Sequence, residues 1–187
     1  MPPVDFSGHN RHIRIMSTAF QPKPRIIGHK VRVCIVASKY NEEFTDELVK
    51  NAIEELDQLF PQGRLDVVRV PGAFEVPVTV SSLLEREKPN CVIALGLLIQ
   101  GDTAHADLVA ESVTNSLQSI AVEQRCPIIH EILLVKDEKQ AYARCIGSKM
   151  NRGREAARAA ASMVDVFQEL NRTMPLKASG PRKSRYA

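Results

Sequence analysis

Residues 91–105 read CVIALGLLIQGDTAH, and this stretch decides the architecture. The run 91–95 is short and apolar throughout, as a strand buried on both faces is. The segment 96–105 that follows is bracketed by Gly96 and Gly101 and leads into an amphipathic stretch opening near Ala106. A strand, a glycine-bracketed loop and a helix start together make an anion site. The first N–H groups of a helix have no partner within it, and the helix dipole adds partial positive charge there. Gly96 and Gly101 let a ligand approach the backbone closely. Thr103 adds a hydroxyl donor, and His105 brings the one side chain that ordinarily titrates near neutrality. The Asp102 carboxylate would repel an anion, so Asp102 would act through its backbone N–H. A phosphorylated substrate held beside an acid–base group is one reading. An ordinary strand-to-helix turn is the other, and the loop alone does not separate them.

Working outward, the same grammar repeats along the chain. A first strand is read over 31–37 (VRVCIVA). Asn41 stands as a helix N-cap, with Glu42 and Glu43 suited to the positive end of the dipole. Phe44, Leu48, Ala52, Leu56 and Leu59 then recur at helical spacing until Pro61 and Gly63 stop the helix. A second strand follows over 65–70, broken by Pro71-Gly72. A helix is read from about 74 to 87, with a later start if Pro77 is to fall in its first turn. The third strand is 91–95 and the third helix 106–124, with Val109, Val113, Leu117 and Ile120 on one face. A fourth strand over 127–135, a short helix over 138–145 and a last helix over 154–170 complete the body. The buried stripe of the last helix is read as Ala156, Ala160, Met163, Val164 and Phe167.

Strands alternating with helices across short turns imply right-handed crossovers and a parallel sheet covered on both faces. The expectation is an α/β three-layer sandwich around a four-stranded parallel sheet, flavodoxin-like in character. Ligands of such sheets bind beyond the carboxyl ends of the strands. The loops 38–41, 70–75 and 96–105 leave those ends, and all three are unusual in sequence.

Charge divides the chain into three. Residues 1–30 carry a net +4 and residues 171–187 a net +5, which leaves the body, 31–170, at −6 within an overall +3. Both ends read as flexible basic extensions. A basic tail attracts nucleic acid, yet the acidic body disfavours a nucleic-acid-binding domain, and a solvated tail is the simpler account. No run of 18 apolar residues exists, so no membrane span is read, and no signal-peptide core is found at the N-terminus. Cys34, Cys91, Cys126 and Cys145 form no C-x-x-C pair, which points to a reduced, cytoplasmic compartment and away from a structural zinc.

Several residues carry chemistry on either of two readings. Tyr40, just past the first strand, can stack on a planar heterocycle or pack under the helix start. Ala73, Phe74 and Glu75 follow a rigid Pro-Gly turn; Glu75 can accept bonds from a polyol or ring N–H, or serve the helix dipole. The fourth strand contains the adjacent polar pair His130-Glu131, odd for a strand buried on both faces. Either that strand is partly exposed, or His130 faces a ligand or a subunit contact. Arg144 fits a phosphate clamp, though a surface role is the default for one of 25 Lys and Arg residues.

Taken together, these residues resemble lumazine synthase. The matching pieces are Tyr40-Asn41 after the first strand, the block PGAFEVP at 71–77, the loop G-x-x-I-x-G-D-T-x-H at 96–105, and Arg144 with Asn151-Arg152-Gly153. The resemblance spans about 31–170. It implies condensation of 5-amino-6-(D-ribitylamino)uracil with 3,4-dihydroxy-2-butanone 4-phosphate to a lumazine, without metal or organic cofactor. Carried over by position, it implies that Tyr40 and His130 stack on the pyrimidine and that Ala73, Phe74 and Glu75 hold the ribityl chain. It further implies that the backbone of Leu97, Leu98 and Ile99 reads the ring, that Asp102, Thr103 and Arg144 bind phosphate, and that His105 transfers protons. His130 stands where the family often has an aromatic residue supplied by a neighbouring subunit, Glu131 where glycine is common, and Arg152 where lysine is usual. A homo-oligomer is expected, with a ring of five as its unit and a sixty-subunit shell left open. The segment before Val31, limited by Pro22 and Pro24 to about 25–30, is a candidate strand for a neighbour's sheet.

Two other functions stay in view. An archaeal-type riboflavin synthase shares the fold but uses no phosphorylated substrate, which Asp102-Thr103 and Arg144 argue against. A non-enzymatic flavin-binding or cage-forming relative is kept in view by His130 and Glu131. A receiver-type signalling domain is disfavoured because no acidic cluster follows the first strand.

Overall fold

A computed structural model describes residues 31–175. The expectations for 1–30, including the strand over 25–30, and for the tail past 175 lie outside the described residues. Strands β1 (Arg32–Ser38), β2 (Arg64–Val70), β3 (Cys91–Ile99) and β4 (Ile128–Val135) form one all-parallel sheet in the order β2-β1-β3-β4. Helices α1 (Glu42–Leu59), α2 (Val76–Arg86), α3 (His105–Gln124), α4 (Glu138–Cys145) and α5 (Arg152–Thr173) cover it.

The two faces of the sheet bury different sets. Val33, Ile35, Ile93, Leu95 and Leu97 pack with α1, α4 and α5, through Leu48, Ala52, Leu56, Ala141, Cys145, Ala156 and Ala160. Cys34, Val36, Val92 and Ala94 pack with α2 and α3, through Val76, Val80, Val113 and Leu117. Adjacent residues of a strand point to opposite faces, so the continuous apolar runs of β1 and β3 are what a three-layer sandwich demands. The α/β expectation holds. All five residues of the α1 stripe are buried, and α2 starts at Val76 with Pro77 in its first turn.

Three readings change. β3 does not end at Leu95 but runs on through Gly96 to Ile99, paired to β4 by Gly96↔Ile132 and Ile99↔Val135. Gly96 is therefore a strand residue, and its missing side chain serves packing: a Cβ there would lie 2.9 Å from the Ser38 hydroxyl. The connecting loop shrinks to 100–104. Second, α5 runs from Arg152 to Thr173, so its last three residues continue past the boundary read at 170. Its buried positions are Gly153, Ala156, Ala157, Ala160, Ala161 and Val164, while Met163 and Phe167 are only half-buried. The cause is close approach: a Cβ on Gly153 would come 2.4 Å from the Leu48 carbonyl oxygen of α1. Third, Asn41 precedes α1 in the left-handed region (φ 59°, ψ 49°), and its side chain makes no capping bond.

Candidate active site

β1 lies between β2 and β3, and the chain leaves β1 toward one side and β3 toward the other. This is the switch point where such sheets open a crevice at their carboxyl ends. The register of β1 with β3 ends at Ala37↔Leu95, whereas β3 and β4 stay paired to Ile99. β3 thus outruns its β1 neighbour by four residues, along an edge that faces the crevice.

The loops after β1 and β2 are tied to each other and to the projecting end of β3. Lys39 N–H donates to the Val70 carbonyl (2.7 Å) and Tyr40 N–H to the Pro71 carbonyl (3.1 Å). The Asn41 side-chain amide donates to the Leu97 carbonyl at 3.0 Å. Main-chain groups alternate sides along a strand, and Gln100 N–H donates to the Val135 carbonyl of β4. Leu98 therefore turns its main chain to β4, and Leu97 and Ile99 turn theirs to the crevice edge.

Tyr40 and Phe74 stand 71% and 62% exposed at the rim. Two large apolar rings so placed are poor solvent residues and good walls for a planar ligand. Ala73 is buried in the single 3-10 turn Ala73–Glu75, and Glu75 is partly exposed. One Glu75 carboxylate oxygen accepts the Gly72 N–H at 2.9 Å. That bond shapes the turn that leads into α2.

The N-terminus of α3 lies beside this shelf. Ala104 precedes the helix without a side-chain cap, and the first backbone bond to close is Leu108 N–H to the Ala104 carbonyl. Asp102, Thr103 and His105 are exposed around it. Asp107, in the first turn, accepts from Gln100 Nε2 at 3.2 Å. Uncapped N–H groups with a threonine and a histidine at the same turn can hold an anion and move a proton next to it.

His130 and Arg144 do not join these residues within one chain. His130 is registered opposite Ala94, five residues below the Ile99 end of β3, or ~17 Å at strand rise. Its Nε2 lies 3.1 Å from the Thr114 hydroxyl of α3. That hydroxyl donates its single proton to the Ala110 carbonyl at 2.7 Å, so Nε2 carries the hydrogen and donates. Burial holds the His130 ring below the usual histidine range, partly offset by a backbone hydrogen bond, and the neutral ring is the form that stacks. Glu131 points to the opposite face of β4. Arg144, on α4, sits on the α1/α4/α5 side of the sheet, whereas Thr103 and His105 lead into α3 on the other side. Arg144 shares a recess with Glu131 and Arg152. β4 is a half-buried edge strand, which is why two adjacent polar residues are tolerated in it.

Sequence reasoning missed two things here. One is the Asn41 tie to Leu97; an asparagine preceding a helix reads first as a cap, although asparagine also tolerates the left-handed region. The other is Arg152 as a second cation of the Arg144 recess.

A sequence profile described as 6,7-dimethyl-8-ribityllumazine synthase matches residues 30–168. Proteins with that same name are similar to this chain. The one from Thermococcus gammatolerans is 34% identical over 144 residues, 77% of this chain and 92% of the relative. That from Pyrococcus furiosus is 36% identical over 76% of this chain and 89% of the relative. That from Xylella fastidiosa strain M12 is 37% identical over 74% and 91%. Among solved structures, a de novo designed Rossmann fold protein aligns with a TM-score of 0.36 at 15% identity over 59% of this chain and 90% of that one, too loose a likeness to carry an argument.

Proposed function

The chain belongs to the 6,7-dimethyl-8-ribityllumazine synthase family, and from that premise we propose that its active site is assembled from two copies of the chain. The reaction is the condensation of 5-amino-6-(D-ribitylamino)uracil with 3,4-dihydroxy-2-butanone 4-phosphate, in riboflavin biosynthesis. The pyrimidine's primary amine adds to the ketone and water leaves to form an imine. Loss of a proton from the adjacent carbon expels phosphate and gives an enol, which tautomerises to a ketone. The ribityl-bearing nitrogen then adds to that ketone, and a second water leaves as the ring closes.

One copy supplies Tyr40 as a stacking wall, Ala73, Phe74 and Glu75 as the ribityl cradle, and the main chain of Leu97, Leu98 and Ile99 along the ring. Of these last three, the strand alternation favours Leu97 and Ile99 as the groups that face the ligand. The phosphate rests at the α3 N-terminus on Asp102 N–H and the Thr103 hydroxyl. His105 at the same turn takes and returns the protons of amine addition and phosphate loss. The adjacent copy supplies His130 against the pyrimidine and Arg144 to the phosphate.

The observation that carries this reading is the placement of Arg144 and Thr103 on opposite faces of one sheet. That placement favours closing the two on one phosphate between neighbouring chains rather than within one. A ring of five, each copy offering its β4 edge to the crevice of the next, is the assembly proposed. The four free cysteines favour the cytoplasm. Among the described residues, no helix is long and apolar enough to cross a membrane.

The test is steady-state condensation with both substrates supplied. Lumazine forms faster than in the uncatalysed mixture, and lumazine supplied alone yields no riboflavin. A rate equal to the uncatalysed mixture contradicts the proposal.

A further inference from the structure

On the α4–α5 side of the β4 edge lies an open recess of about 290 Å³ walled by Glu131, Leu133, Gln140, Arg144 and Arg152 among others. Its charges come from three elements. Glu131 is on β4, Arg144 on α4 and Arg152 on α5. Glu155, one turn along α5, binds Arg152 at 2.5 Å. From β3 the register partner of Glu131 is apolar Leu95, and the neighbouring His130 faces Thr114 on the other side of the sheet. Two guanidiniums on one recess suit a phosphate-sized anion. A carboxylate in the same recess opposes one. Among the described residues the Glu131 carboxylate has no hydrogen-bond or ion-pair partner, although two arginines line the same walls.

Resting on the assignment of Arg144 to the phosphate, we propose that Glu131 sets the affinity of that subsite by acting as a counter-ion to Arg144 and Arg152 in the recess they share. When Glu131 is protonated, the charge of both arginines is available to the anion. When it is ionised, it neutralises part of that charge and repels the phosphate. The half-buried carboxyl is pushed up to about 7, first by desolvation and then by Glu155, with Arg152 and Arg144 pulling it down. It therefore changes charge near neutrality, unlike an ordinary glutamate, which is ionised throughout that range. Linkage makes the effect reciprocal: an anion bound in the recess disfavours the carboxylate, so binding takes up a proton.

Sulfate is the suitable probe because it stays a dianion across this range, whereas phosphate esters titrate within it. Its affinity is measured by calorimetry on the assembled full-length protein between pH 6 and pH 8. In the wild type sulfate weakens by about three- to tenfold over that interval, one pK unit of coupling being tenfold. Glu131→Gln reduces that slope by at least about threefold, binds more tightly at pH 8, and takes up fewer protons on binding. The quantity read is the difference between the two proteins, which cancels every contribution they share. Glu131→Gly serves as a second variant that removes the carboxylate, and light scattering checks that both assemble. A Glu131→Gln protein with the wild-type slope and proton uptake overturns the inference while Arg144→Ala, by losing sulfate, leaves the phosphate assignment standing. An Arg144→Ala protein that binds sulfate like the wild type overturns both.

Discussion

The Asn41 amide reaches across the crevice to the Leu97 carbonyl at 3.0 Å while its own backbone is left-handed. One residue thus closes the connection from β1, precedes α1 and fastens that turn to the projecting end of β3. Asn41→Gly keeps the backbone without strain and loses only the bond, about 0.5–1.5 kcal/mol. Asn41→Ala adds the cost of a left-handed Cβ, ~1–2 kcal/mol. Denaturant midpoints order the three proteins Asn, Gly, Ala, and both variants raise KM for the pyrimidine. An alanine variant as stable as the wild type contradicts the tie.

His105→Ala lowers kcat by ~10²–10⁴-fold, the usual cost of losing an acid–base group, with the uncatalysed condensation as a floor. The fold is unaffected, because His105 is exposed at the loop–helix junction. Steady-state rates over pH 6–8 check this, and an unchanged rate removes His105 from the mechanism.

Arg144→Ala raises KM for the phosphorylated ketone and leaves that for the pyrimidine nearly unchanged. A charge-assisted bond is worth roughly 1.5–3 kcal/mol, or about one to two decades in affinity. Equal rises in both KM values make Arg144 a structural residue.

His130→Phe retains activity, since a neutral ring and a phenyl both stack. It also changes the pH dependence of stability. Burial lowers the folded-state value of His130 below the ordinary 6.5, so the unfolded chain binds the proton more tightly. Stability from this group is full above the unfolded value and is lost as pH falls through the folded one. Denaturant midpoints between pH 5 and 7 fall less steeply for His130→Phe than for the wild type. A folded but inactive variant shows that the Nε2 donor to Thr114 is needed for activity as well.

The element order is legible because residues that cannot continue each element punctuate it: Pro61 and Gly63 after α1, Pro71-Gly72 after β2. The end of β3 is not. Gly96 reads as the start of a loop, but β4 persists to Val135 and holds β3 in register to Ile99. On α5, Met163 and Phe167 outrank alanine in any hydrophobic pattern. The contact with Leu48 at Gly153 nevertheless brings α1 so near that small residues take the seam. At the site, the loops around Tyr40, Phe74 and His105 can be read locally because each follows a strand end. The side of the sheet on which Arg144 falls is set by how α4 crosses, and no residue near Arg144 encodes it. Glu131 is legible only as an oddity until the recess shared with Arg144 and Arg152 is seen.

In the proposed assembly one catalytic centre draws His105 from one copy and Arg144 from the next. Co-assembly of the two impaired variants tests it. Subunits of His105→Ala and Arg144→Ala, unfolded together in equal amounts and refolded, form mixed rings. About a quarter of their interfaces then pair an intact His105 with an intact Arg144, if a cyclic assembly mixes at random. The mixture recovers about a quarter of wild-type kcat per site, well above either variant refolded alone. Activity no higher than the mean of the two variants, with mixed rings verified by mass, contradicts the shared site.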